Sequence, residues 1–361
     1  MHGSRDFGAV QLLDFDAFSQ RAWNGVAPDR MTPMQQHIWI RAAISALSPE
    51  KDVKVLTVGT PESPLALAPL SIDRSGPHCY RLLGAEEFGE SVEVIYRDKG
   101  ALSALVRGLS RLGYPISFGH YPLDTSFVEC LRRAFRARGL VVERKLGVAA
   151  MPCLKLDRTW LHPEERLSAT RRSDYRRKRR KAEKLGEVIT EVHCPAPGEF
   201  ATLYEEAMAI EARNWKGRGG TAVSMNPVQS VFYRTYGELA ARAGTLRICF
   251  LRVGGAPVAM QYLVEYKDRL WQLKIGYDER HRDFSPGFLL MRDVLRYGAE
   301  RGHAGYEFLG KEAAWTKMWS ATARPIGAIR VYPFNFKGAR AALADTWRHG
   351  NVRRRRDAAA L

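Results

Sequence analysis

The sequence lacks the signatures of several large protein classes. Nowhere in its 361 residues do about 18 consecutive apolar residues occur, so no transmembrane helix is predicted. The N-terminal residues contain no apolar core of signal-peptide length. The motifs His-Glu-x-x-His, Gly-x-x-x-x-Gly-Lys-Ser/Thr and Gly-x-Ser-x-Gly are absent, and the nine histidines are scattered. These absences argue against a zinc protease, a P-loop NTPase and an α/β-hydrolase, and no metal site is predicted.

Cysteine is also sparse. The five cysteines at positions 79, 130, 153, 194 and 249 form no Cys-x-x-Cys pair, and an odd number cannot pair completely. The sequence therefore predicts free thiols, which fits a reduced, cytoplasmic protein.

Positive charge is what the sequence has in excess. Lys and Arg number 56 against 39 Asp and Glu, a formal net charge of +17. This charge indicates an anionic partner such as CoA, tRNA, another polyanion or a membrane surface, or else a general arginine bias on solvated helix faces. The basic segment (residues 171–181) has eight basic residues in eleven. Its candidate polyanion-binding residues are Arg172, Arg176, Arg179 and Arg180.

The order of predicted elements divides the chain into two similar halves. Each half gives a helix, two strands, a third strand, a helix, a strand, a helix and a strand. We therefore predict an α/β (α+β) fold of two related domains, each a mixed, mostly antiparallel sheet flanked by helices. The predicted parts are an N-terminal domain (1–157), a basic helical connector (158–186), a C-terminal domain (187–349) and a basic tail (350–361). The first half closes with strands predicted at 141–148 and 153–156. In the second half, strands are predicted at 246–253, 258–266, 270–275 and 306–309, helices at 198–215 and 227–242, and a long basic helix or helix pair at 164–185.

The most informative stretch joins a strand to a helix. Residues 271–275 lead into a short basic turn, and the turn opens a helix near Pro286. Proline suits a first helical turn, and the small residues Ser285 and Gly287 leave the backbone accessible. Free N–H groups, the helix dipole and nearby arginines favour a pyrophosphate there, so we name this stretch the cradle (residues 274–288). Its predicted binding residues are Lys274, Ile275, Tyr277, Arg280, Arg282, Ser285, Pro286, Gly287 and Phe288.

The cradle resembles a known acyl-CoA site. Arg282-Asp-Phe-Ser-Pro-Gly287 is similar to the Arg/Gln-x-x-Gly-x-Gly/Ala pattern of the GNAT acyltransferase superfamily, with Ser285 at the first glycine. The Ser-Pro-Gly variant resembles the branch labelled cellulose-biosynthesis (CelD/BcsL-like) acetyltransferases. Related architecture occurs in the Fem-type aminoacyl transferases.

Two further segments extend the resemblance to roughly residues 150–335. Glu211-Ala-Arg-Asn-Trp215-Lys216-Gly217 is similar to the Glu-x-x-x-Trp-Lys-Gly segment of that branch. Tyr306-Glu-Phe-Leu-Gly310 through Trp319 resembles its closing strand and its Tyr-Lys-x-x-Trp helix start. The sequence departs from the branch at Trp315 and Thr316, where Tyr and Lys are usual, and Lys317 follows one place later.

The resemblance implies a tandem of two GNAT-like folds that uses acetyl-CoA or another acyl-CoA and no metal. Only the second half has the cradle, so the N-terminal domain is expected to bind no CoA. An amine, or a hydroxyl, would attack the thioester directly, without a covalent enzyme intermediate. The acceptor would be a small molecule or a polysaccharide precursor.

Glu307 is the first candidate for the general base. It is predicted on a strand beside the central one, between Tyr306 and Phe308, where burial would raise its pKa toward neutrality. The alternative is a structural glutamate on an open strand face or one paired with Lys274 or Lys311. Glu211 is the second candidate.

Acceptor-binding residues are predicted near both glutamates. They are Trp215, Lys216, Gln261, Lys317 and Trp319. The spacing of Trp315 and Trp319 is equally typical of a core stripe on a helix.

Two other functions fit the sequence. A Fem-type transferase that uses aminoacyl-tRNA is favoured by the basic segment, whereas the cradle favours CoA. The third is an inert polyanion- or membrane-surface-binding module that keeps the fold.

Overall fold

A computed structural model describes residues 9–73, 78–213, 223–310, 312–320 and 322–358. Its internal contacts divide the chain into two units. Unit 1 comprises Met1–Ile40, Leu47–Ala149 and Pro325–Leu361, and unit 2 comprises Arg41–Ala46 and Ala150–Arg324. The four-part division drawn from the sequence rests on the repeat along the chain, and it stays a prediction.

Unit 1 is a mixed sheet with helices. Its strands are β1 (Val10–Leu13), β2 (Lys51–Gly59), β3 (Pro64–Asp73), β4 (Tyr80–Leu82), β5 (Ile95–Tyr96), β6 (Ile116–Pro122), the first part of β7 (Gly139–Lys155) and most of β13 (Thr322–Pro333). Its helices are α1 (Gln20–Asn24), α2 (His37–Leu47, in part), α3 (Ala85–Phe88), α4 (Lys99–Arg111), α5 (Ser126–Phe135) and α11 (Phe336–Ala358). The strands follow the order β1-β2-β3-β4-β6-β13, and β5 pairs with β3.

Unit 2 has the same kind of architecture. Its strands are the end of β7, β8 (Val188–His193), β9 (Leu246–Val253), β10 (Ala256–Tyr266), β11 (Arg269–Tyr277) and β12 (Gly305–Glu307). Its helices are α6 (Ala169–Glu183), α7 (Phe200–Ala212), α8 (Pro227–Arg242), α9 (Pro286–Glu300) and α10 (Ala314–Lys317). The strand order is β7-β12-β11-β10-β9-β8.

Alternation along β10 explains why helices cover both faces of the unit 2 sheet. Tyr262 points to one face, where its ring contacts Tyr204 of α7 and Tyr233 of α8. Its neighbour Leu263 belongs to the core cluster on the other face, together with Leu290 of α9. Both faces of the strand are thus buried, as period-2 alternation of large apolar residues predicts.

Each unit contains one parallel step among antiparallel strands. In unit 1, β4 runs parallel to β6. In unit 2, β11 runs parallel to β12, and the pairing ends at Trp271 and Glu307. Because β11 continues to Tyr277, a gap opens between the two strands beyond that pair.

Most predicted elements of unit 2 are confirmed, with three differences. In place of the helix or helix pair predicted over 164–185, a 3-10 turn covers Pro163–Arg166, and α6 begins only after Ser168, whose Oγ accepts from the N–H of Arg171 at 3.4 Å. The predicted helix 198–215 is confirmed as α7 up to Ala212, and its last two positions lie outside the described residues. Two short strands predicted before residue 157 are one strand, β7.

Helix α11 carries large apolar side chains that are exposed. Phe336, Leu343 and Trp347 are more than 70% exposed. Within the part of the chain that the structure describes, no helix is both long and apolar enough to cross a membrane.

A partly buried polar cluster links α9 to the sheet. The Glu265 carboxylate on β10 accepts hydrogen bonds from Arg247 on β9 at 2.5 Å and from the Tyr297 hydroxyl on α9 at 2.7 Å. The His303 ring lies 3.3 Å away. Burial by itself would raise the pKa of Glu265, but His303, Tyr297 and Arg247 outweigh it and lower the pKa to about 2.

This pKa predicts a pH-dependent contribution to stability. Glu265 binds protons more weakly in the folded than in the unfolded state, so its contribution is complete above its ordinary pKa of 4.5 and is lost as the pH falls toward 2. We expect Glu265→Gln to lower the free energy of unfolding at pH 7 by about 2 kcal/mol. The difference from wild type should shrink between pH 4.5 and pH 2 in urea titrations.

Glu300→Gln is the matched control, because Glu300 pairs with Arg296 one turn away and both side chains are nearly half exposed. It should change stability by less than about 0.5 kcal/mol at either pH. A loss in Glu265→Gln that stays constant down to pH 2 would contradict the assignment.

Candidate active site

A buried hydrogen-bond network lies beside the gap between β11 and β12. The Tyr306 hydroxyl is 2.7 Å from Oε1 of Gln272 and 3.1 Å from Oε1 of Gln261. Gln272 Nε2 donates to the carbonyl of Phe308 at 3.2 Å, just past the end of β12. Burial holds the pKa of Tyr306 well above its ordinary value, so the hydroxyl keeps its proton. Gln261, a predicted acceptor-binding residue, therefore lies in the network that supports the gap.

The cradle backbone is set by a cap and a left-handed residue. Asp278 accepts from the N–H of Arg280 at 3.0 Å and starts a 3-10 turn over Glu279–Phe284. Ser285 then has φ 49° and ψ 66°, the left-handed conformation that glycine adopts freely. Pro286 follows as the first residue of α9. The position matched to the first glycine of the GNAT pattern is thus one where the backbone itself favours glycine.

Open space surrounds Gly287. A Cβ built on this residue would meet only Tyr277, whose Cδ1 would lie 3.8 Å away. The N–H of Gly287 lies in the first turn of α9, where intrahelical acceptors are missing, while the next N–H, of Phe288, bonds to Ser285 at 2.9 Å. Space, an N–H group and the positive end of the helix dipole therefore coincide at one point, as an anionic group requires.

The cations near the cradle differ in what they contact. Arg280 binds the buried Asp278 carboxylate through Nε at 3.0 Å and a terminal nitrogen at 2.5 Å, which lowers the pKa of Asp278. Arg282 is exposed, and no acidic side chain of the described residues pairs with it. Lys274 points to the other face of the sheet, where its Nζ lies 4.4 Å from the ring centroid of Tyr233. Arg282 is therefore the cradle cation that is most available to a ligand.

Helix α6, which contains the basic segment, lies against the cradle. The Phe288 ring contacts Tyr175 of α6 at 5.9 Å and Trp319 at 5.3 Å between centroids. Lys178 of α6 has its Nζ 5.3 Å from the same ring. Phe288 and Trp319 thus form the packing that joins α6 to α9, and Trp319, only 6% exposed, belongs to the core of unit 2.

The four predicted polyanion-binding arginines of α6 fall into two pairs. Arg172 donates to the Leu167 carbonyl at 3.0 Å, and Arg179 binds Glu183 at 2.9 Å and the Val188 carbonyl at 3.0 Å. Arg176 and Arg180 are exposed and have no acidic partner among the residues that the structure describes. They line an open depression of about 480 Å³ together with Ser173, Tyr175 and Arg179. The first pair stabilises the fold around α6, whereas the second is available to an anion.

Glu307 lies at the point where β11 and β12 separate. It is 1% exposed, and Arg269 contacts its Oε1 through Nε at 2.7 Å and a terminal nitrogen at 2.6 Å. Arg324 lies 3.4 Å from the same oxygen, and Oε2 has no hydrogen-bond partner in the described parts of the chain. Burial raises the pKa of Glu307 although both arginines act to lower it. Of the alternative partners considered for Glu307, Lys274 contacts Tyr233 and Lys311 lies outside the described residues; Arg269 and Arg324 are contacts that sequence reasoning missed.

Glu211 is buried on α7, against β11. Its Oε2 accepts from the N–H of Val223 at 3.0 Å. The fit is close: a Cβ on Gly276 of β11 would lie 2.7 Å from the Glu211 Cα. The packing of α7 on β11 therefore requires glycine at position 276. The Glu211 carboxylate binds the backbone N–H of Val223.

Of the remaining predicted acceptor residues, Lys317 lies among the described residues. Lys317, at the end of α10, is exposed and pairs with Glu312 at 3.1 Å. Trp215 and Lys216 lie outside the described residues. Trp315 is 38% exposed and contacts Phe308.

Sequence reasoning missed Gln272, Arg269 and Arg324. The signal for Gln272 was a polar residue inside the apolar strand 270–275. Arg269 and Arg324 gave no local signal, because only the strand register brings them to Glu307. No group of three or more His, Cys, Asp and Glu suited to a metal occurs in the described ranges.

Comparison with known proteins identifies the domain. Residues 169–317 match the sequence model of a family described as an acetyltransferase (GNAT) domain. This range begins with α6 and ends with α10, so the basic helix belongs to the matched domain. No curated protein sequence matches the chain.

Solved structures share the fold at low identity. FemX is 13% identical with a TM-score of 0.61, and the match covers 92% of this chain and 99% of FemX. A conserved protein of unknown function from Bacteroides thetaiotaomicron is 10% identical with a TM-score of 0.54, covering 89% and 98%. The C-terminal DUF2156 domain of a candidate lysylphosphatidylglycerol synthetase from Agrobacterium fabrum is 13% identical with a TM-score of 0.52, covering 86% and 92%.

These likenesses concern the fold alone. They extend over most of the chain and therefore include both units. The predicted fold class, a tandem of two mixed α/β folds of the GNAT kind, is confirmed. Residues 169–317 thus match a GNAT acetyltransferase domain, and the chain shares its fold with FemX.

Proposed function

We propose that the chain transfers an acyl group from a CoA thioester to an amine and that the cradle holds the pyrophosphate of CoA. The observation that carries this proposal is the open backbone at Gly287, next to a left-handed Ser285 and a first helical turn. No packing contact explains the absence of a side chain at Gly287. A ligand that approaches the backbone there does explain it, and a pyrophosphate matches the N–H group and the dipole.

The chain's own residues would bind the donor and stabilise the oxyanion. The cradle and Arg282 bind the anionic part of the donor. The gap beyond Trp271 and Glu307 exposes strand backbone of β11, whose N–H groups are candidates to stabilise the oxyanion. CoA supplies the thioester carbonyl when it is bound.

Glu307 is the proposed general base. The amine nitrogen bonds to the carbonyl carbon, its proton passes to Glu307 directly or through a water, and the C–S bond breaks to release the thiolate. The buried, unpartnered Oε2 supports this role because a proton acceptor needs a free lone pair. Arg269 and Arg324 favour the ionised carboxylate, which is the form that accepts the proton.

The acceptor that we propose is an amine on a small molecule or a polysaccharide precursor, with hydroxyl acceptors as the alternative. All five cysteines are free thiols, which supports a reduced, cytoplasmic setting.

A second donor, aminoacyl-tRNA, is favoured by one observation. Arg176 and Arg180 are exposed on α6, and α6 packs on the cradle through Tyr175. A nucleic acid could therefore contact these arginines while its acyl end occupies the gap. The FemX likeness is consistent with this alternative at the level of the fold.

The first prediction concerns Gly287. Its valine variant should weaken acetyl-CoA binding by about tenfold or more, because the side chain occupies the space that the pyrophosphate needs. The thermal midpoint should stay close to wild type, because a Cβ there would meet only Tyr277, at an ordinary van der Waals distance of 3.8 Å. Isothermal titration with acetyl-CoA, beside a thermal melt, measures both.

Gly198→Val is its control, since a Cβ there meets nothing within 4 Å. Wild-type CoA affinity in a folded Gly287→Val protein would remove the cradle hypothesis.

The second prediction concerns Glu307 and its pKa. Glu307→Gln should lower turnover by about 100-fold and flatten the acidic limb of the pH–rate profile. Arg324→Gln removes a cation that lowers the Glu307 pKa, so the acidic limb should move to higher pH while CoA affinity is preserved.

Arg296→Gln on α9 is the matched control and should leave the profile in place. An unchanged acidic limb in Glu307→Gln would mean that Glu307 is structural and that Glu211 is the next base to test. Glu211→Gln is then informative, because an amide oxygen can still accept from Val223.

The third prediction separates the two donors. Reversing Arg176 and Arg180 to Glu should abolish tRNA and heparin retention and reduce the salt dependence of binding by about 0.7 to 0.9 per lost phosphate contact. Reversing Arg132 and Arg133 on α5 changes the charge equally and should have little effect.

If CoA is the donor, product forms with acetyl-CoA in the absence of tRNA, in wild type and in the reversed variant alike. Product that forms only with aminoacyl-tRNA, and is lost on reversal, would establish the second donor. Polyanion binding without any turnover would favour the inert module.

A further inference from the structure

The last helix presents an apolar stripe that no described part of the chain covers. Phe336, Leu343 and Trp347 of α11 are 79%, 73% and 72% exposed, and Phe334 just before the helix is 68% exposed. Single exposed apolar residues are ordinary on protein surfaces, but a group of large ones marks an interaction site.

The helix geometry places these side chains together. Spacings of seven and then four residues along α11 return to the same side of an α-helix, so Phe336, Leu343 and Trp347 form one stripe. We name this set the α11 stripe. It occupies the first three turns or so of the helix.

The opposite side of α11 is the one that binds unit 1. A Cβ on Gly338 would lie 1.9 Å from the Pro333 carbonyl oxygen, so only glycine allows this approach. Asp345 accepts from the Tyr332 hydroxyl at 2.8 Å. The small and polar residues of α11 therefore attach it to unit 1, and the large apolar ones are left outside.

The formal charge of α11 indicates which kind of partner would cover the α11 stripe. The α11 sequence has seven Lys and Arg against two Asp, a formal charge of +5, within a chain of +17. Arg340, between the stripe residues, is exposed. A second copy of the chain would bring a like charge to the same place and be repelled, whereas an anionic surface would be attracted.

We propose that α11 is an interfacial helix that docks the chain on an anionic lipid surface. The stripe inserts among acyl chains and headgroups, and the basic residues bind lipid phosphates. Phe, Leu and Trp beside Lys and Arg are the side chains of helices that lie in the membrane interface. This inference does not depend on the acyl transfer proposed for unit 2.

Vesicle co-sedimentation of the full chain tests the proposal. The probes are phosphatidylcholine vesicles with about 30% phosphatidylglycerol and vesicles of pure phosphatidylcholine, at low and at raised salt. We expect binding to the anionic vesicles, weaker binding as salt rises, and little binding to the neutral ones. Replacing Phe336, Leu343 and Trp347 by Ser should reduce binding to anionic vesicles by about tenfold or more at every salt concentration.

The matched control replaces three exposed apolar residues of unit 2, Leu185, Ile189 and Val231, by Ser. It should bind like wild type, and thermal melts of both triple variants establish that they fold. Should the stripe variant lose structure, Arg340→Gln alone must still weaken binding to anionic vesicles.

Three outcomes overturn the proposal. They are no vesicle binding by wild type, equal binding by wild type and the folded stripe variant, and a wild-type dimer in analytical ultracentrifugation that the stripe variant abolishes. The last would identify a second copy of the chain as the occupant.

Discussion

Strands β11 and β12 run parallel for three residue pairs and then separate, and the candidate site follows from this separation. A continued ladder would satisfy the backbone groups of β11 with strand partners. Because the ladder stops at Trp271 and Glu307, those groups are left to other partners, and a buried network of Tyr306, Gln261 and Gln272 supports the opening. Helices α7, α8 and α9 pack on the two faces of the sheet, and this packing compensates for the backbone hydrogen bonds that are lost where the ladder stops.

The same separation explains the environment of Glu307. At the last pair of a parallel ladder its side chain is buried, but it is next to Arg269 at the other end of the paired segment. A buried carboxylate without a cation would be protonated, whereas one with two cations and full solvation would be a weak base. Burial raises the pKa of Glu307 while Arg269 and the more distant Arg324 act to lower it, and Oε2 has no hydrogen-bond partner among the described residues.

The sequence was most predictive where local signals agree. The Asn226-Pro227 start predicted α8 over the residues where it is found, and β9 and β10 followed from apolar runs joined by Gly254-Gly255. The cradle could be predicted because its turn, cap and helix start are contiguous. The contacts of Arg269 and Arg324 with Glu307 could not be predicted, because these residues are far apart in sequence and only the pairing of the strands brings them together. The contact of Tyr175 on α6 with Phe288 was missed for a different reason. The many basic residues around Tyr175 are typical of a solvent-exposed helix, so no packing contact was predicted.

Gly276 and Gly287 differ in whether the packing of the fold explains the glycine. Neither has a left-handed backbone, so conformational freedom explains neither. At Gly276 a side chain would collide with the backbone of α7, which lies 2.7 Å from the position of its Cβ, and packing accounts for the residue. At Gly287 the fold leaves room for a side chain, and alanine would also be the better helix former. A glycine that the fold does not require, at a helix start beside a left-handed Ser285, supports the proposal that the pyrophosphate of CoA binds there.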